Sequence, residues 1–585
     1  MHIENKCFSI IATVLESCFL FIVLSLAFKC CTYAAEDTDS SSVDDLIVCN
    51  AKVITAQSER ESLLFSKPIA VKHARYLQNF ADQVEGNNAY TSFVDKTATR
   101  REQLYVVDHQ GILNAFNTTR NNKLFTFEPV SMETEYSYSG HSNFVDKYRA
   151  PSEPIVADVY DGLEWRTILV NTSNSGKGIV VLDITDPDAI ELLWEVRGTR
   201  AVSPTDVIDL GYSIAQPTVA RLHNGEWAVV VGNGYGALGG QSGAAALYLF
   251  NAVSGALIAS LEVDSSLDKP NGLSSPRLAD YDGDGVADYA YAGDLHGNLW
   301  RFDLLGDGAT PPLTPSGRGY YGANSGTTNR FQVSYGSQPM FVARATANDV
   351  RQPIAAAPNL VRHPTGHGHL VIFGTGINTS IVGHVAEQSY AHSLYGIWDM
   401  QTTAEVTKPE SISRDQLTLQ SITKETTGLE HSAGLQREAR IISNHPVEWY
   451  TNFDSSQAVK KRGWYLDFQL EGAAGGEMVV EDMRTLGSMI LLQTLTPKND
   501  PCAGDVLTWL YVINPHTGGR TTHSAFDFNE GEYSDVAALK FGQPGPIVLL
   551  HNGRIFTVEA ADESVVVIPP PQSWGRQSWR MLSDP

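Results

Sequence analysis

The chain has 585 residues, of which 42% are hydrophobic, so it can bury a large core, and this argues against disorder throughout. Its formal net charge of -24 argues against a nucleic-acid partner, because phosphate-backbone binding needs clustered Lys and Arg. The 49 glycines and 23 tyrosines, together with many short Val, Ile, Leu and Tyr runs, favour an all-β protein with tight turns between strands.

Residues 1–35 are predicted to be a signal peptide. Lys6 lies in a short head, and an apolar core of about ten residues, FLFIVLSLAF, runs from Phe19 to Phe28 before the small residues that precede Ala35. Such a core is too short for a permanent membrane span, so we expect no stable span after cleavage. An uncleaved anchor remains an alternative, because counting back to Phe8 lengthens the apolar stretch.

Cleavage near Ala35 would leave Cys49 and Cys502 as the cysteines of the exported chain. An oxidising periplasm or cell surface permits a disulfide between them, but the sequence does not show whether they pair. Residues 36–62 form a polar N-terminal segment, and we expect the folded domain to occupy residues 63–585.

Strand-like segments then recur to the C-terminus, separated by Gly, Asn, Asp and Pro turns. In one repeated pattern a β-run ends in Asp or Asn, a turn containing Gly follows, and a second β-run begins. The pattern occurs at 104–116, 248–258, 511–520 and, in a variant form, 555–568. Each occurrence predicts a hairpin with one face turned inward.

A second repeated element is a Pro followed by alternating apolar residues, at Pro154, Pro217, Pro276 and Pro358. Pro suits the start of a strand, where its missing N–H is least needed. Four-stranded units that cannot bury both faces alone must stack around an axis, which predicts a β-propeller. The spacing of about 60 residues exceeds a minimal blade and indicates loop insertions. The largest, at about 401–456, is polar and weakly periodic and is compatible with some helix.

The most informative stretch runs from Asp280 to Asp288 and reads DYDGDGVAD. It places carboxylates at loop positions 1, 3, 5 and 9, Gly285 at the sharp turn, and a backbone carbonyl at position 7. Tyr291 stands where an EF-hand has its closing Glu, and the flanks read as strands. The pattern therefore predicts an EF-hand-like loop without its helices, with Ca²⁺ ligands Asp280, Asp282, Asp284, Val286 and Asp288.

The simpler interpretation of this loop is a solvated Asp and Gly turn. Two carboxylates about 4 Å apart repel by ~1 kcal/mol in water and by ~4 kcal/mol at an effective dielectric of about 20, which makes the loop without a cation unfavourable. We therefore expect a bound Ca²⁺. The sequence leaves open whether the ion is structural or regulatory.

Two smaller signals concern His and Trp residues. His363, His367 and His369 are spaced as in some metal-binding tracts, but the intervening Pro and Gly residues favour a loop of a blade. The scattered tryptophans are predicted to pack in blade cores rather than to bind a ligand, and include Trp165, Trp227, Trp300 and Trp509.

Several segments resemble the PilY/PilC family of type IV pilus factors. The longest, 271–303, reads NGLSSPRLADYDGDGVADYAYAGDLHGNLWRFD. Similar segments follow the family's order at 209–217, 227–235, 393–399, 463–467, 500–503 and 575–580. The resemblance covers roughly residues 65–585.

This resemblance implies a modified seven-bladed, quinoprotein-like β-propeller that is not an enzyme. It implies a calcium-binding factor at the pilus tip that works with minor pilins in pilus assembly, in adhesion to a host or surface receptor, and in the extension and retraction behind twitching motility. The implied location is the periplasm, the outer membrane surface and the fimbrium. The five residues of the acidic loop carry over as calcium ligands.

The resemblance also implies a von Willebrand A-type domain ahead of the propeller. The roughly 30 residues between the predicted leader and the propeller are fewer than the about 50 that a domain needs. The sequence leaves open what this means for adhesion. The receptor itself is not identified by the sequence.

The main alternative function is a dehydrogenase that uses pyrroloquinoline quinone, because related propellers hold this cofactor with calcium on their axis. That chemistry needs an axial pocket with a catalytic carboxylate and a stacking Trp, whereas the carboxylates here cluster in one local loop. A scaffold or an assembly lectin is a third class.

Overall fold

The computed structural model describes residues 69–71 and 87–567 with internal gaps. The gaps are 108–111, 118–121, 128–153, 174–177, 202–206, 212–215, 235–243, 264–270, 282–284, 307–328, 346–348, 367, 378–389, 401–411, 431–435, 450–460, 487, 498–505, 527–534, 542–546, 550–554 and 560–562. Within these limits almost every element is a strand, and α1 (Asn87–Thr97) is the one helix longer than a single turn. The all-β prediction is confirmed.

The first three sheets are four-stranded and antiparallel, and their strands pair in chain order. They are β1 (Ile69–Val71), β2 (Gln103–Val107), β3 (Leu113–Asn117) and β4 (Asn122–Phe127); β5 (Ile155–Tyr160), β6 (Trp165–Ser173), β7 (Gly178–Asp183) and β8 (Glu191–Arg197); and, after a ribbon of β9 (Thr199–Ala201) and β10 (Val207–Asp209), β11 (Thr218–Arg221), β12 (Trp227–Gly232), β13 (Ala245–Asn251) and β14 (Leu257–Val263). Short hairpin connections suffice for this order.

The fourth and fifth sheets each carry an additional strand. The fourth contains β15 (Arg277–Ala279), β16 (Tyr289–Gly293), β17 (Asn298–Gly306) and β18 (Asn329–Val333), with β19 (Phe341–Val342) also pairing with β17. The fifth contains β20 (Asn359–Arg362), β21 (His369–Gly374), β22 (Ser393–Asp399) and β26 (Gly463–Asp467), with β23 (Leu417–Gln420) parallel to β26.

The sixth sheet has six strands and the seventh has three. In spatial order the sixth contains β24 (Ile422–Glu430), β25 (Gln436–Ile442), β32 (Val536–Phe541), β31 (Val506–Ile513), β30 (Met489–Pro497) and β29 (Arg484–Leu486), and a ribbon of β27 (Gln469–Leu470) and β28 (Ala473–Ala474) lies apart from it. The seventh contains β33 (Ile547–Leu549), β34 (Ile555–Glu559) and β35 (Glu563–Val567).

The four Pro elements mark strand starts, as predicted. Pro154, Pro217, Pro276 and Pro358 immediately precede β5, β11, β15 and β20, and each of these strands lies at one end of its sheet. These first strands also approach one another, because β5 contacts β1 and β11 while β15 contacts β20. Sheets whose first strands line a common region are typical of a propeller.

The hydrophobic core lies in layers between consecutive sheets. In β12, Val229 packs toward the second sheet, whereas Ala228 and Val230 pack toward the fourth. This alternation follows from the two-residue period of a strand, and it buries both faces of the sheet. The tryptophans predicted to form the core are buried, namely Trp165, Trp227, Trp300 and Trp509.

Two tryptophans fasten neighbouring sheets together. The indole N–H of Trp194, on β8, donates to the carbonyl of Ala252, in the turn after β13 of the third sheet, at 2.9 Å. The indole N–H of Trp464, on β26, donates in the same way to Pro515 beside the sixth sheet at 2.9 Å. Both indoles lie against a glycine of the neighbouring turn, so each contact joins two blade-like units.

Three of the four predicted hairpins are confirmed by strand pairs β2–β3, β13–β14 and β34–β35. The prediction for 511–520 was wrong in its second half. The chain there closes a tight turn in which Gly518 N–H donates to the carbonyl of Asn514 at 2.8 Å, and a single bridge joins Ile513 to Arg520. The next strand along the chain that pairs with β31 is Val536–Phe541.

The predicted insertion at 401–456 is described at 412–430 and 436–449, where it holds strands rather than α-helix. After a 3₁₀ turn at Arg414–Gln416, β23 joins the fifth sheet, and β24 and β25 join the sixth. The reason is that Ile422 and Ile442 are apolar and fill the core between these sheets. The segment therefore links two sheets.

The predicted signal peptide (1–35), the polar segment (36–62), Cys49 and Cys502 all fall outside the described residues. Their roles stay predictions. Among the helices that the structure does describe, none has the length and apolar character needed to cross a membrane.

Candidate metal centre

The acidic loop connects two strands of the fourth sheet. β15 and β16 pair antiparallel, with Ala279 opposite Tyr289, and the N–H of Asp288 donates to the carbonyl of Ala279 at 2.9 Å. The loop thus has paired strands on both sides, as the sequence predicted. Because the two strands are paired, the positions at which the chain enters and leaves the loop are fixed.

Asp280, the first residue of the loop, bonds to the sixth. Its Oδ2 accepts a hydrogen bond from the N–H of Gly285 at 2.9 Å. Gly285 has φ +87°, a conformation that L side chains rarely adopt, which explains why Gly occupies position 6. The chain therefore curls back on its first carboxylate, as a cation-binding loop requires.

Asp288, at position 9, is fully buried. Its Oδ1 lies 2.9 Å from Nε2 of His223, and its Oδ2 accepts the N–H of Tyr281 at 2.6 Å. The N–H of Leu304 donates to its backbone carbonyl at 2.8 Å. A buried carboxylate is costly unless it is hydrogen-bonded, and these contacts hold this one in place.

Both neighbouring sheets contact the loop. On one side, Val286 forms a parallel bridge with Arg221, and the N–H of Ala287 donates to the Arg221 carbonyl at 2.9 Å. On the other side, the ring of Tyr281 packs edge-on against His369 of β21, with centroids 5.7 Å apart. The loop is therefore positioned by three sheets.

The donors that the structure describes fit a hard cation. Asp280 and Asp288 carry carboxylate oxygens and Val286 has a backbone carbonyl, and these are the types of group that Ca²⁺ prefers as ligands. Asp282 and Asp284 lie in the gap at 282–284. In the part of the chain with described coordinates, no three His, Cys, Asp or Glu side chains converge as a ready metal site. The five-ligand set stays a prediction.

A second group of buried polar residues joins the fourth and fifth sheets. Arg301 is fully buried, and its Nη1 donates to Asp399 at 3.0 Å. The hydroxyls of Tyr291 and Tyr335 also donate to Asp399, at 2.7 and 2.9 Å. Burial alone would lower the pKa of Arg301, but Asp399 and its neighbours raise that pKa well above its ordinary value. The guanidinium is therefore a fixed positive charge between the sheets.

A third buried group lies in the sixth sheet. Glu477 accepts hydrogen bonds from Tyr511 at 2.7 Å and from Arg440 at 2.6 Å, and the Arg440 guanidinium lies 3.8 Å from the Trp509 ring. Burial raises the pKa of Tyr511 well above its ordinary value. Like the group around Arg301, this one is made of residues that bond to one another.

The described His residues of the 363–369 tract pack against aromatic rings. The ring of His363 stacks on Trp398 with centroids 3.7 Å apart, and its Nδ1 lies 2.7 Å from the hydroxyl of Thr365. His369 contacts Tyr281 as described above, and burial lowers the pKa of His369. His367 lies outside the described residues. The two described rings therefore serve packing, in line with the loop interpretation.

Sequence reasoning missed His223, His369 and Asp399 as parts of these sites. His223 is 65 residues from Asp288 along the chain, and Asp399 is 98 residues from Arg301. No local motif marks such partners. The residues that follow His223, NGE, predict a hairpin turn, but the burial of His223 is visible only in the structure.

The comparisons with known proteins agree with the fold. The model of the PilY1 beta-propeller domain matches residues 62–433. The chain is 40% identical, over 90% of its length, to the type IV pilus biogenesis factor PilY1 of Pseudomonas aeruginosa strain PAO1, and 27% identical, over 79%, to a PilY1 homolog of Xylella fastidiosa. It spans 46% of the first relative and 29% of the second.

A solved structure also matches most of the chain. The crystal structure of the Pseudomonas aeruginosa PilY1 C-terminal domain superposes with a TM-score of 0.70 at 39% identity, and the match covers 86% of this chain and all of that one. The matched part of the relative is therefore its C-terminal domain. The resemblance noted in the sequence is confirmed.

Proposed function

Because the chain belongs to the PilY1 β-propeller family, we propose that it is a factor in type IV pilus biogenesis. The observation that carries this proposal is the 40% identity, over 90% of the chain, to a type IV pilus biogenesis factor. The chain spans about half of that relative, so the proposal concerns tasks that a propeller can perform.

We further propose that the loop from Asp280 to Asp288 binds one Ca²⁺. The support is the donor chemistry, the Asp280 to Gly285 hydrogen bond and the buried position of Asp288. In this proposal Asp280, Asp282, Asp284 and Asp288 supply carboxylate oxygens and Val286 its carbonyl. A bound cation would relieve the repulsion among these carboxylates and hold the hairpin closed.

The proposed architecture is a modified seven-bladed, quinoprotein-like propeller. Seven sheets of three or more strands occur within the described residues, and Trp194 and Trp464 fasten two pairs of them. The strands at 401–456 then serve as a crossing between the fifth and sixth blades. In this arrangement the calcium loop lies in the fourth blade.

We propose a role in assembly and adhesion rather than catalysis. The buried charged groups around Arg301 and Glu477 are saturated by mutual hydrogen bonds, which suits stability more than reaction chemistry. The curated relatives at about 40% identity are pilus factors, so the dehydrogenase alternative is not favoured.

The proposed location is outside the cytosol, at the outer membrane surface and the pilus tip. Support comes from the predicted signal peptide and from the pilus function of the relatives. The proposed partners are minor pilins and a host or surface receptor. An acidic chain with bound Ca²⁺ suits such an extracellular setting, where calcium modules bind in the range of about 10⁻⁴ to 10⁻³ M.

The test is deletion of the gene in its own organism, followed by counts of surface pili in electron micrographs. We expect the deletion to remove most surface pili and the wild-type gene to restore them. Asp284→Ala should restore fewer pili than the wild type if calcium supports the function. Asp188→Ala, which changes an exposed aspartate paired with Arg101, is the matched control and should restore them fully. Unchanged pilus numbers in the deletion strain would refute the proposal.

A further inference from the structure

A buried histidine of the third sheet contacts the acidic loop of the fourth. His223 belongs to the turn between β11 and β12, which closes through the Gly225 N–H to the Leu222 carbonyl at 2.9 Å. The following residues of the turn face solvent, but the His223 side chain is only 1% exposed and points into the neighbouring sheet. In this orientation its ring reaches Asp288.

The contact fixes the direction of the Asp288 carboxylate. Nε2 of His223 lies 2.9 Å from Oδ1, while the backbone N–H of Tyr281 occupies Oδ2 at 2.6 Å. An ionised carboxylate accepts hydrogen bonds only, so the His223 ring carries a proton on Nε2 and donates it. A carboxylate has about four acceptor directions, so both oxygens keep lone pairs for another donor or an ion.

The backbone reinforces the same connection. Arg221, two residues before His223, bridges Val286, and its carbonyl accepts the Ala287 N–H at 2.9 Å. The third sheet therefore holds the loop at a predicted carbonyl donor and at a predicted carboxylate donor. Side chains that orient a metal ligand in this way commonly change metal affinity 10- to 100-fold when they are replaced.

We propose that His223 is a positioning residue for the calcium loop and that it couples ion binding to the packing of the third sheet against the fourth. This proposal rests on the proposed calcium function of the loop. It assigns to His223 no contact with the ion itself. Its role is to hold Asp288 in the direction that the loop needs.

The test is isothermal titration of CaCl₂ into the purified chain and its variants. His223→Met keeps much of the side-chain volume but removes the donor, and we expect a 10- to 100-fold rise in the Kd for Ca²⁺. His223→Gln keeps an N–H donor at a similar reach, so we expect an affinity within about threefold of the wild type. The matched control is Asn224→Ala in the same turn. The Asn224 side chain donates to Glu226 at the surface, so its removal should leave the Ca²⁺ affinity unchanged.

Thermal denaturation with and without CaCl₂ gives a second reading of the same quantity. The calcium-induced rise in Tm should shrink in His223→Met and persist in His223→Gln, because ligand stabilisation follows affinity. If His223→Met does not fold, His223→Asn carries the same test, since its shorter polar side chain loses Asp288. Wild-type affinity in the folded Met or Asn variant would overturn the role of His223. No heat of binding in the wild type would instead overturn the calcium loop itself.

Discussion

Gly518→Ala should destabilise the protein strongly, because Gly518 lies under the indole of Trp464. A Cβ added at this glycine would lie 2.0 Å from Cε3 of that ring, far inside contact distance. The indole has little room to move, since Trp464 is fully buried and hydrogen-bonded to Pro515. Relieving the overlap means shifting one sheet against the next, and overpacking of this kind costs about 1–3 kcal/mol.

Gly366→Ala is the matched control. Gly518 has φ +71° and Gly366 has φ +78°, so both substitutions meet the same backbone penalty of about 1–2 kcal/mol. A Cβ at Gly366, however, would have no neighbour within 4 Å. Equilibrium urea denaturation of the two variants therefore isolates the contact. We expect Gly518→Ala to lose about 1–3 kcal/mol more than Gly366→Ala. Equal losses would contradict the view that Trp464 fastens two sheets.

Two further predictions concern buried charge. Arg301→Met leaves Asp303 and Asp399 buried without their cation, so it should lower the free energy of unfolding by about 3–5 kcal/mol in urea denaturation. The control, Arg344→Met, breaks only the exposed pair with Asp349 and should lower the free energy of unfolding by less than about 1 kcal/mol. Burial lowers the pKa of His392 from 6.5 to about 4. As the pH falls, the unfolded chain therefore binds a proton at this histidine before the folded chain does. The folded state loses stability as the pH falls from 6.5 to about 4. Between pH 7 and pH 4.5 this histidine should cost about 2.4 kcal/mol of stability, and His392→Gln should remove that pH dependence. Equal pH dependence in the two proteins would contradict this assignment.

Local sequence patterns predicted those features whose chemistry is local. Pro at a strand start and the spacing of Asp and Gly in a turn act within a few residues, so β15, β16 and the hairpin at 280–288 followed from the sequence. The φ of Gly285 and its hydrogen bond to Asp280 follow from the same pattern. For this reason the position and form of the acidic loop could be stated before its structure was known.

Contacts between sheets could not be predicted in this way. Asp288 meets His223 across 65 residues, and Trp464 meets Pro515 across 51, because neighbouring sheets come together only in the folded chain. The strands within 401–456 were not predicted, for the same reason. The polar composition of this region suggests an insertion, yet Ile422 and Ile442 fill a core that two other parts of the chain create.

The family resemblance supplied what local patterns could not. It gave the seven-bladed form and the proposed pilus function, which rest on relatives rather than on any one residue. The calcium assignment rests on both kinds of inference. The spacing of Asp and Gly is a local pattern, and the resemblance implies the same ligand set, which includes Asp282 and Asp284. Because those two residues lie outside the described part of the chain, a bound ion is the observation that decides the assignment.

A crystal structure of the purified chain grown with millimolar CaCl₂ tests the account most directly. We expect one ion in the fourth sheet, between β15 and β16, surrounded by oxygen ligands at about 2.3–2.6 Å from the four aspartates and the Val286 carbonyl. A hairpin that keeps its strands but shows no ion at saturating calcium would contradict the claim that this acidic turn was built to hold Ca²⁺.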